Sequence, residues 1–253
     1  MICYPNAKIN LGLNIIKKRS DGFHDISSVI YPVQDLYDVL EIVESNSFSF
    51  TVSGTLFNND IQSDKNICVK AYNLLKADFN LPCVKIHLHK RIKIGAGLGG
   101  GSSDGVFTLI LLNDIFNLKL SKDNLKRYAI ILGSDCPFFV ENTPHIVSGK
   151  GELMKKLDIN LKNYEFKFFF PDIFISTREA YSNIEPKNPE VNLLDVISSP
   201  LQEWKEKLKN DFESYVFQKY PQLQKIKDEF YEKGAVYSSM TGSGSVIYAI
   251  FKN

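Results

Sequence analysis

The chain has 253 residues, 44% of them hydrophobic, which suffices for one large domain or two medium lobes with an ordinary core. Thirty basic and 29 acidic residues leave a formal net charge of +1, with no basic tail and no run of like charge that would follow a nucleic-acid backbone, and we expect neither a nucleic acid nor a membrane as a partner. Four scattered cysteines without a Cys-x-x-Cys pair indicate reduced thiols, and no apolar run is long enough for a membrane span. We therefore expect a cytoplasmic globular protein.

Hydrophobic patterns in the first half of the chain predict four strands and three helices. The strands cover residues 9–16, 28–42, 47–52 and 84–94, and we expect them to form one sheet. A helix is predicted over residues 64–79. A second begins near Ser102 or Ser103, either of which can cap it, and its apolar residues on nearly all sides predict burial in the core. A third covers residues 121–132, between Ser121 and Gly133.

The second half of the chain mixes both kinds of element. A strand is predicted over residues 165–170 and helices over residues 201–217 and 223–232, separated by Pro221, which cannot lie inside a helix. Two strands over residues 235–239 and 246–251 close the chain. The intermixed helices and hairpins predict an α+β protein of two lobes, residues 1–155 and 156–253.

A glycine-rich segment, residues 95–104, follows a predicted strand and opens the predicted buried helix. Residues without a Cβ let the main chain approach an anion closely, and the unpaired amides at the start of a helix favour negative charge. A polyphosphate is the ligand that this context predicts.

Other phosphate-binding motifs fit less well. Residues 95–100 satisfy the dinucleotide pattern G-x-G-x-x-G, but the acidic residue that should close the next strand is not evident. No Gly-Lys-Ser or Gly-Lys-Thr follows, as a P-loop requires, and the His-Arg-Asp and Asp-Phe-Gly signatures of protein kinases are missing. His87 and His89 share one strand face without a visible third ligand, so we interpret them as structural rather than metal-binding.

Five segments together resemble the superfamily of galactokinase, homoserine kinase, mevalonate kinase and phosphomevalonate kinase. They are Pro-Asn-Ala-Lys-Ile-Asn-Leu at 5–11, Asp-Gly-Phe-His at 21–24, Gly-Leu-Gly-Gly-Gly-Ser-Ser-Asp at 97–104, Leu-Gly-Ser-Asp-Cys-Pro-Phe-Phe at 132–139, and Met-Thr-Gly-Ser-Gly-Ser at 240–245. The resemblance covers nearly the whole chain. It implies the two-lobed fold of these small-molecule kinases, with an ATP-binding and catalytic lobe, a carboxy-terminal lobe and an active-site cleft between them.

Within the superfamily, the motifs resemble those of the branch in the non-mevalonate isoprenoid pathway. That branch phosphorylates the 2-hydroxyl of a cytidine-diphosphate-linked methylerythritol, so the resemblance implies a small-molecule substrate carrying a cytidine diphosphate. It also implies ATP and Mg²⁺, which bridges the β- and γ-phosphates. The residues that match the ATP loop are Gly95, Ala96, Gly97, Leu98, Gly99, Gly100, Gly101, Ser102, Ser103 and Asp104.

The resemblance also assigns catalytic roles. Asp135 lies in an otherwise apolar stretch, where an ionised carboxylate needs a partner, and it matches the family's catalytic aspartate. As general base it would accept the proton of the attacking hydroxyl. Lys8 matches the lysine that pairs with this aspartate. Without the resemblance, a helix cap for Asp135 and a solvated edge for Lys8 remain open.

Substrate-binding roles follow in the same way. Asn10 faces the same side of its strand as Lys8 and would orient the hydroxyl. Phe23 would stack on the cytosine and His24 would hydrogen-bond to it. Tyr181, four residues past Thr177, matches the second aromatic of the cytosine site, and Thr177 is assigned to the same substrate-binding site.

Residues 64–66 are expected to contact the nucleoside of ATP. The family usually has a proline where this chain has Lys93. The alternatives are a superfamily kinase for another small alcohol, such as homoserine or a mevalonate derivative, a nucleotide-binding sensor and a dinucleotide-dependent oxidoreductase.

Overall fold

The structure, a computed structural model, describes residues 1–54 and 65–253. Asp64, predicted to begin a helix and to contact the nucleoside, lies outside the described residues. The chain divides into two compact units that interleave along the sequence. The first comprises Met1–Lys8, Pro32–Ile94 and Gly99–Thr143, and the second comprises Ile9–Tyr31, Gly95–Leu98 and Pro144–Asn253. The predicted lobes, residues 1–155 and 156–253, remain a prediction.

Strands and helices alternate irregularly along the described residues. The strands are β1 Ile2–Cys3, β2 Asn6–Lys18, β3 His24–Tyr37, β4 Val39–Glu44, β5 Ser49–Ser53, β6 Val84–His89, β7 His145–Gly149, β8 Leu153–Lys156, β9 Tyr164–Phe169, β10 Tyr237–Met240 and β11 Ile247–Lys252. The helices are α1 Ile67–Phe79, α2 Gly100–Ile115, α3 Lys122–Leu132, α4 Cys136–Glu141, α5 Thr177–Ser182, α6 Leu193–Ser198, α7 Trp204–Lys207, α8 Phe212–Lys219 and α9 Pro221–Glu232. No helix among these is long and apolar enough to cross a bilayer.

The first unit combines a sheet with four helices. The sheet has the order β1-β4-β6-β5, with β5 parallel to β6 and the other pairs antiparallel. Helix α2 packs against α1, α3 and α4 and also contacts the sheet. Its buried residues lie on all sides, which confirms the prediction of a core helix. Helix α3 begins with a capping box at Ser121 and ends before Gly133, as predicted.

The second unit contains two sheets. One has the order β2-β3-β7-β8 and the other the order β10-β11-β9, in which both pairs are antiparallel. The prediction that the first four strands form one sheet is wrong, because β2 and β3 pair in one sheet while β4, β5 and β6 belong to another. Local patterns carry no information about such long-range pairing. The closing pair of strands is confirmed, as is the mixed α+β composition.

Several boundaries differ from those predicted, for identifiable reasons. The segment 28–42 is two strands, β3 and β4, separated by the buried Asp38. The predicted helix over 201–217 is broken because Leu13 pairs with the chain between α7 and α8, through hydrogen bonds to Lys209 and Asp211. Pro221 occupies the first turn of α9, where its missing N–H is not needed. The sequence did not predict α4, α5, α6, β7 or β8, which are short.

The packing of α2 makes a stability prediction. Leu112 has no exposed surface, so Leu112→Ala leaves a cavity and is expected to lower the free energy of unfolding by about 2–5 kcal/mol. Ile131 on α3 is 66% exposed, and Ile131→Ala, the matched control, is expected to change it by less than about 0.5 kcal/mol. Urea denaturation of both variants measures the difference. Equal losses would contradict the buried position of α2.

Candidate functional site

The glycine-rich segment makes a left-handed turn into α2. Gly95, Gly97 and Gly99 have φ values of 68°, 79° and 68°, a conformation that side chains with a Cβ rarely adopt. Gly99 occupies the N-cap position of α2 and no side chain caps the helix. The expectation that Ser102 or Ser103 caps it is wrong, since both lie inside its first turn. The amides that begin α2 therefore lack a side-chain acceptor, as an anion site requires.

Two of these glycines are required by contacts inside their own unit. A Cβ on Gly97 would lie 2.1 Å from the carbonyl oxygen of Thr241 in the second unit. A Cβ on Gly99 would lie 2.9 Å from Cγ of Lys8 and 3.1 Å from Cζ of Phe139 in the first. A Cβ on Gly101 would meet nothing within 4 Å. The open space over Gly101 is therefore not explained by packing of the protein itself.

Lys8 lies against the start of the glycine-rich helix. It is only 5% exposed, and its aliphatic chain passes beside Gly99. Burial lowers the pKa of Lys8 below its ordinary value, and the charge of Asp135 acts in the opposite direction. The structure thus brings Lys8, Gly99 and Asp135 together in the first unit, so Lys8 is a buried lysine and not a solvated one.

Asp135 occupies the N-cap position of α4 but makes no capping hydrogen bond through its side chain. The structure therefore does not support helix capping as its role. Asp135 is also exposed, although its apolar neighbours Cys136, Phe138 and Phe139 are buried. The apolar residues that follow Asp135 in the sequence are buried by α4, while Asp135, at the N-cap, remains at the surface.

Some residues of the predicted ATP loop point away from solvent. Ala96, Leu98, Ser103 and Asp104 are at most 3% exposed. The carboxylate of Asp104 accepts a hydrogen bond from Lys90 at 2.7 Å. Contact of these four residues with ATP remains a prediction, and for Ser103 and Asp104 the side chains face the core of the first unit.

In the second unit, Thr241 links the carboxy-terminal glycine motif to the glycine-rich segment. Its hydroxyl donates to the carbonyl oxygen of Gly97 at 3.2 Å and accepts from the backbone N–H of Asn10 at 3.1 Å. Nδ2 of Asn10 donates to Ser28 at 2.8 Å, and Tyr248 donates to the carbonyl oxygen of Asn10. Asn10 is thus rigidly held, and its contact with a substrate hydroxyl remains a prediction.

The predicted base-binding residues lie in the second unit. The rings of His24 and Tyr181 stack with centroids 4.9 Å apart, and Tyr181 packs edge-on against Phe212. Burial, and then the charge of Lys18, lowers the pKa of His24, which favours the neutral imidazole with one donor and one acceptor. Phe23 is 59% exposed, as a ring that stacks on a ligand must be. The hydroxyl of Thr177 lies 3.4 Å from that of Ser243.

Three groups that support these residues were not predicted from the sequence. Nζ of Lys150 lies 4.8 Å from the centroid of the Phe23 ring. Nδ2 of Asn210 donates to the carbonyl oxygens of Met240 and Gly242 and so holds the carboxy-terminal glycine motif. Asp38 and Lys90 form a buried ion pair in the first unit. These groups and the residues that they contact are distant in sequence. The one available signal was a polar residue that interrupts a hydrophobic pattern, as at Asp38 and Asn210.

The predicted structural role of the histidines agrees with their contacts. Ring nitrogens of His87 bond to the hydroxyls of Thr51 and Ser53, and His89 bonds to Ser53. Across residues 1–54 and 65–253, no cluster of three His, Cys, Asp or Glu residues could hold a metal ion. All four cysteines are free thiols.

Comparison with known proteins defines the class first. The model of the GHMP kinase N-terminal domain matches residues 66–142, and that of the GHMP kinase C-terminal domain matches residues 194–253. The chain also shares its fold with the mevalonate kinase of Methanococcus jannaschii, with a TM-score of 0.72 at 15% identity, over 100% of this chain and 90% of that one. The fold and the domains are those of an ATP-dependent small-molecule kinase.

Close relatives narrow the class to one family. A 4-diphosphocytidyl-2-C-methyl-D-erythritol kinase of Parabacteroides distasonis is 46% identical, and the match covers 100% of this chain and 92% of the relative. The enzyme of that name from Azobacteroides pseudotrichonymphae is 49% identical, over 100% and 94%. A crystal structure of a 4-(cytidine 5'-diphospho)-2C-methyl-D-erythritol kinase matches with a TM-score of 0.85 at 28% identity, over 99% and 90%. The chain belongs to the 4-diphosphocytidyl-2-C-methyl-D-erythritol kinase family.

Family membership confirms the predicted resemblance, the small-molecule kinase fold and the kinase activity. It gives no support to the dinucleotide-dependent oxidoreductase. The roles of individual site residues are not tested by these matches and stay predictions.

The open space over Gly101 allows the predicted binding of ATP phosphates at the start of α2 to be tested. Gly101→Ala adds a methyl group where the protein has no atom, so the fold is expected to keep its stability or to gain about 0.5–1 kcal/mol, as helical Gly→Ala changes do. If phosphates lie on the first turn of α2, the methyl group displaces them, and the affinity for a non-hydrolysable ATP analogue falls at least about tenfold. Calorimetric titration measures this. Asp114→Ala, at the exposed end of the same helix, is the control, and unchanged affinity in Gly101→Ala would contradict the assignment.

Proposed function

We propose that this enzyme transfers the γ-phosphoryl group of ATP to the 2-hydroxyl of 4-diphosphocytidyl-2-C-methyl-D-erythritol. The acceptor is inferred from the names of full-length relatives at 46% and 49% identity. The observation that supports the chemistry is the arrangement in the first unit, where buried Lys8 lies against Gly99 and within the field of Asp135. A phosphate-binding helix start, a cation and a carboxylate are the groups that phosphoryl transfer needs.

ATP is proposed to place its phosphates on the uncapped start of α2. Main-chain amides there are directed at the anion and the helix dipole favours its charge. The left-handed turn at Gly99 allows Lys8 to pass beside the same helix start. The ammonium of Lys8 would therefore neutralise charge that develops on the transferring group, and it acts strongly because its surroundings are dry.

Asp135 is proposed as the general base. As the acceptor oxygen forms its bond to the γ-phosphorus and the bond to the β-γ bridging oxygen breaks, the hydroxyl proton passes to the carboxylate of Asp135. The products are ADP and the phosphorylated acceptor. The exposed position of Asp135 gives a bound hydroxyl access to it, and Lys8 lies within the field of this carboxylate.

The cytidine of the acceptor is proposed to bind in the second unit. The exposed ring of Phe23 offers a stacking face, a contact that contributes about 1–3 kcal/mol per base in nucleic-acid sites. Neutral His24 can both donate to and accept from the edge of the base, and its ring is oriented by stacking on Tyr181. Thr177 and Asn10 are proposed as further contacts of the acceptor.

Magnesium is proposed to arrive as part of the MgATP substrate. The described residues provide no cluster of metal-ligating side chains, and Mg²⁺ commonly keeps several waters and binds mainly through phosphates. The ion would neutralise part of the charge on the phosphates of ATP.

The acceptor assignment is tested by ADP release from the wild-type enzyme with ATP, Mg²⁺ and each of three alcohols. We expect turnover with 4-diphosphocytidyl-2-C-methyl-D-erythritol and none above background with homoserine or mevalonate.

Asp135→Asn is expected to reduce kcat about 10²–10⁴-fold while leaving ATP affinity within about twofold, because only the proton acceptor is lost.

Asp123→Asn, an exposed aspartate on α3, is the control and should behave as wild type. Normal turnover by Asp135→Asn would remove the proposed base. Turnover with homoserine or mevalonate alone would assign a different acceptor.

Lys8 makes a prediction about pH. Because burial lowers its pKa and the reaction requires the ammonium form, kcat/KM is expected to fall as the pH rises through a value below the ordinary lysine range. In Lys8→Arg the guanidinium stays charged, so the residual activity should lack this alkaline decline. pH profiles of kcat/KM for both enzymes measure it. An unchanged decline in Lys8→Arg would assign it to another group.

A further inference from the structure

Three ionisable side chains are buried together in the first unit, outside the residues used in the proposed mechanism except for Asp104. Asp38, Lys90 and Asp104 are 0%, 3% and 2% exposed. Nζ of Lys90 donates to one carboxylate oxygen of Asp38 and to Oδ2 of Asp104, the latter at 2.7 Å. We call these residues the buried triad. Burying such groups is costly, and an ion pair of this kind is seldom explained by stability alone.

The triad is connected to the segment that leads into the glycine-rich loop. Oδ1 of Asp38 accepts hydrogen bonds from the backbone N–H groups of Arg91 at 2.6 Å and Ile92 at 2.8 Å. These amides follow the end of β6, where the sheet no longer pairs them. The carboxylate of Asp38 therefore fixes the position of the backbone at Arg91 and Ile92, just before the loop begins.

The triad is also connected to the segment that leaves the loop. Asp104 lies in the first turns of α2, and Lys90 binds its carboxylate. A Cβ on Gly100 would lie 2.8 Å from Cγ2 of Ile92 and 3.4 Å from Nζ of Lys90, so the helix start rests directly on these two residues. Both ends of the loop that belong to the first unit are therefore attached to one charged centre.

We infer that Asp38 and Lys90 are positioning residues for the phosphate loop, holding its entry at Arg91 and Ile92 and its exit at Asp104 in the geometry that binds the nucleotide's phosphates. The inference rests on the proposed function, in which ATP places its phosphates at the start of α2. Neither residue touches the nucleotide in this proposal. Their effect passes through the main chain of the loop, where a displacement of 1 Å can reduce a rate about 10²-fold.

The charge state of the triad is consistent with this role. Burial raises the pKa of Asp104 well above its ordinary value, with Lys90 opposing and Asp38 adding to the effect. Burial acts to lower the pKa of Lys90, but the charges of Asp104 and Asp38 and their hydrogen bonds raise it overall. Oδ1 of Asp104 has no hydrogen-bond partner within residues 1–54 and 65–253.

The test uses Lys90→Met and Asp38→Asn, which keep size and remove the link. The matched controls are Lys85→Met on β6 and Asp35→Asn on β3, both exposed. Calorimetric titration gives affinities for ATP, ADP, adenosine and cytidine diphosphate, and steady-state kinetics gives KM for each substrate. We expect the affinity for ATP and ADP to fall at least about tenfold, with adenosine, cytidine diphosphate and the KM of the acceptor within about twofold.

A purely structural role predicts a different pattern, in which the active fraction and the melting temperature fall while KM for ATP is unchanged in the folded fraction. That result would overturn the inference. If neither single variant folds, hydrogen exchange of the wild-type enzyme decides. The amides of Arg91 and Ile92 should be protected in the free enzyme and should not change on addition of ADP, and unprotected amides would overturn the inference.

The two proposals fail separately. Absence of ATP binding by the wild-type enzyme would remove the proposed function itself. Wild-type binding together with unchanged ATP affinity in both triad variants would remove only the positioning role.

Discussion

A polyphosphate can lie against main-chain amides only where no Cβ intervenes, and this constraint governs the segment from Gly95 to the start of α2. Left-handed turns at its glycines let the chain reverse into a helix whose first amides lack a side-chain cap. The same absence of side chains allows Gly97 to rest on Thr241 in the second unit and Lys8 to pass Gly99 in the first. The proposed phosphate site and the proposed catalytic lysine therefore depend on one backbone conformation.

Buried charge serves two different purposes around this segment. Lys8 is desolvated, which lowers its pKa and strengthens its field on nearby anions, so its burial favours chemistry. Lys90 is equally buried but is neutralised by Asp38, so its charge is used within the protein. The two lysines are therefore proposed to have different roles: buried Asp38 binds the charge of Lys90, whereas Lys8 lies within the field of the exposed Asp135.

The sequence predicted those features that depend on neighbouring residues. Local hydrophobic periodicity and local capping and turn residues predict the capped helix α3, the core helix α2 and the closing hairpin. All three are confirmed. Some predictions failed. A helix cap at Ser102 or Ser103 was wrong because Gly99 occupies the N-cap position of the helix. One amino-terminal sheet was wrong because β3 pairs with β7, beyond residue 144, while β4, β5 and β6 belong to another sheet.

The amino-acid sequence alone was enough to identify the kinase family and to predict a phosphate-binding loop, because the motifs that indicate them are short and contiguous. Only the tertiary structure decided that Asp135 is exposed, that His24 stacks on Tyr181 and that Asp38 and Lys90 join the two ends of the loop. The contacts among them join residues that are far apart in sequence, from 14 positions for Lys90 and Asp104 to 157 positions for His24 and Tyr181. The exposure of Asp135 depends on how the whole chain packs. Pairwise contacts over such separations are set by packing of the whole chain, which no local pattern records.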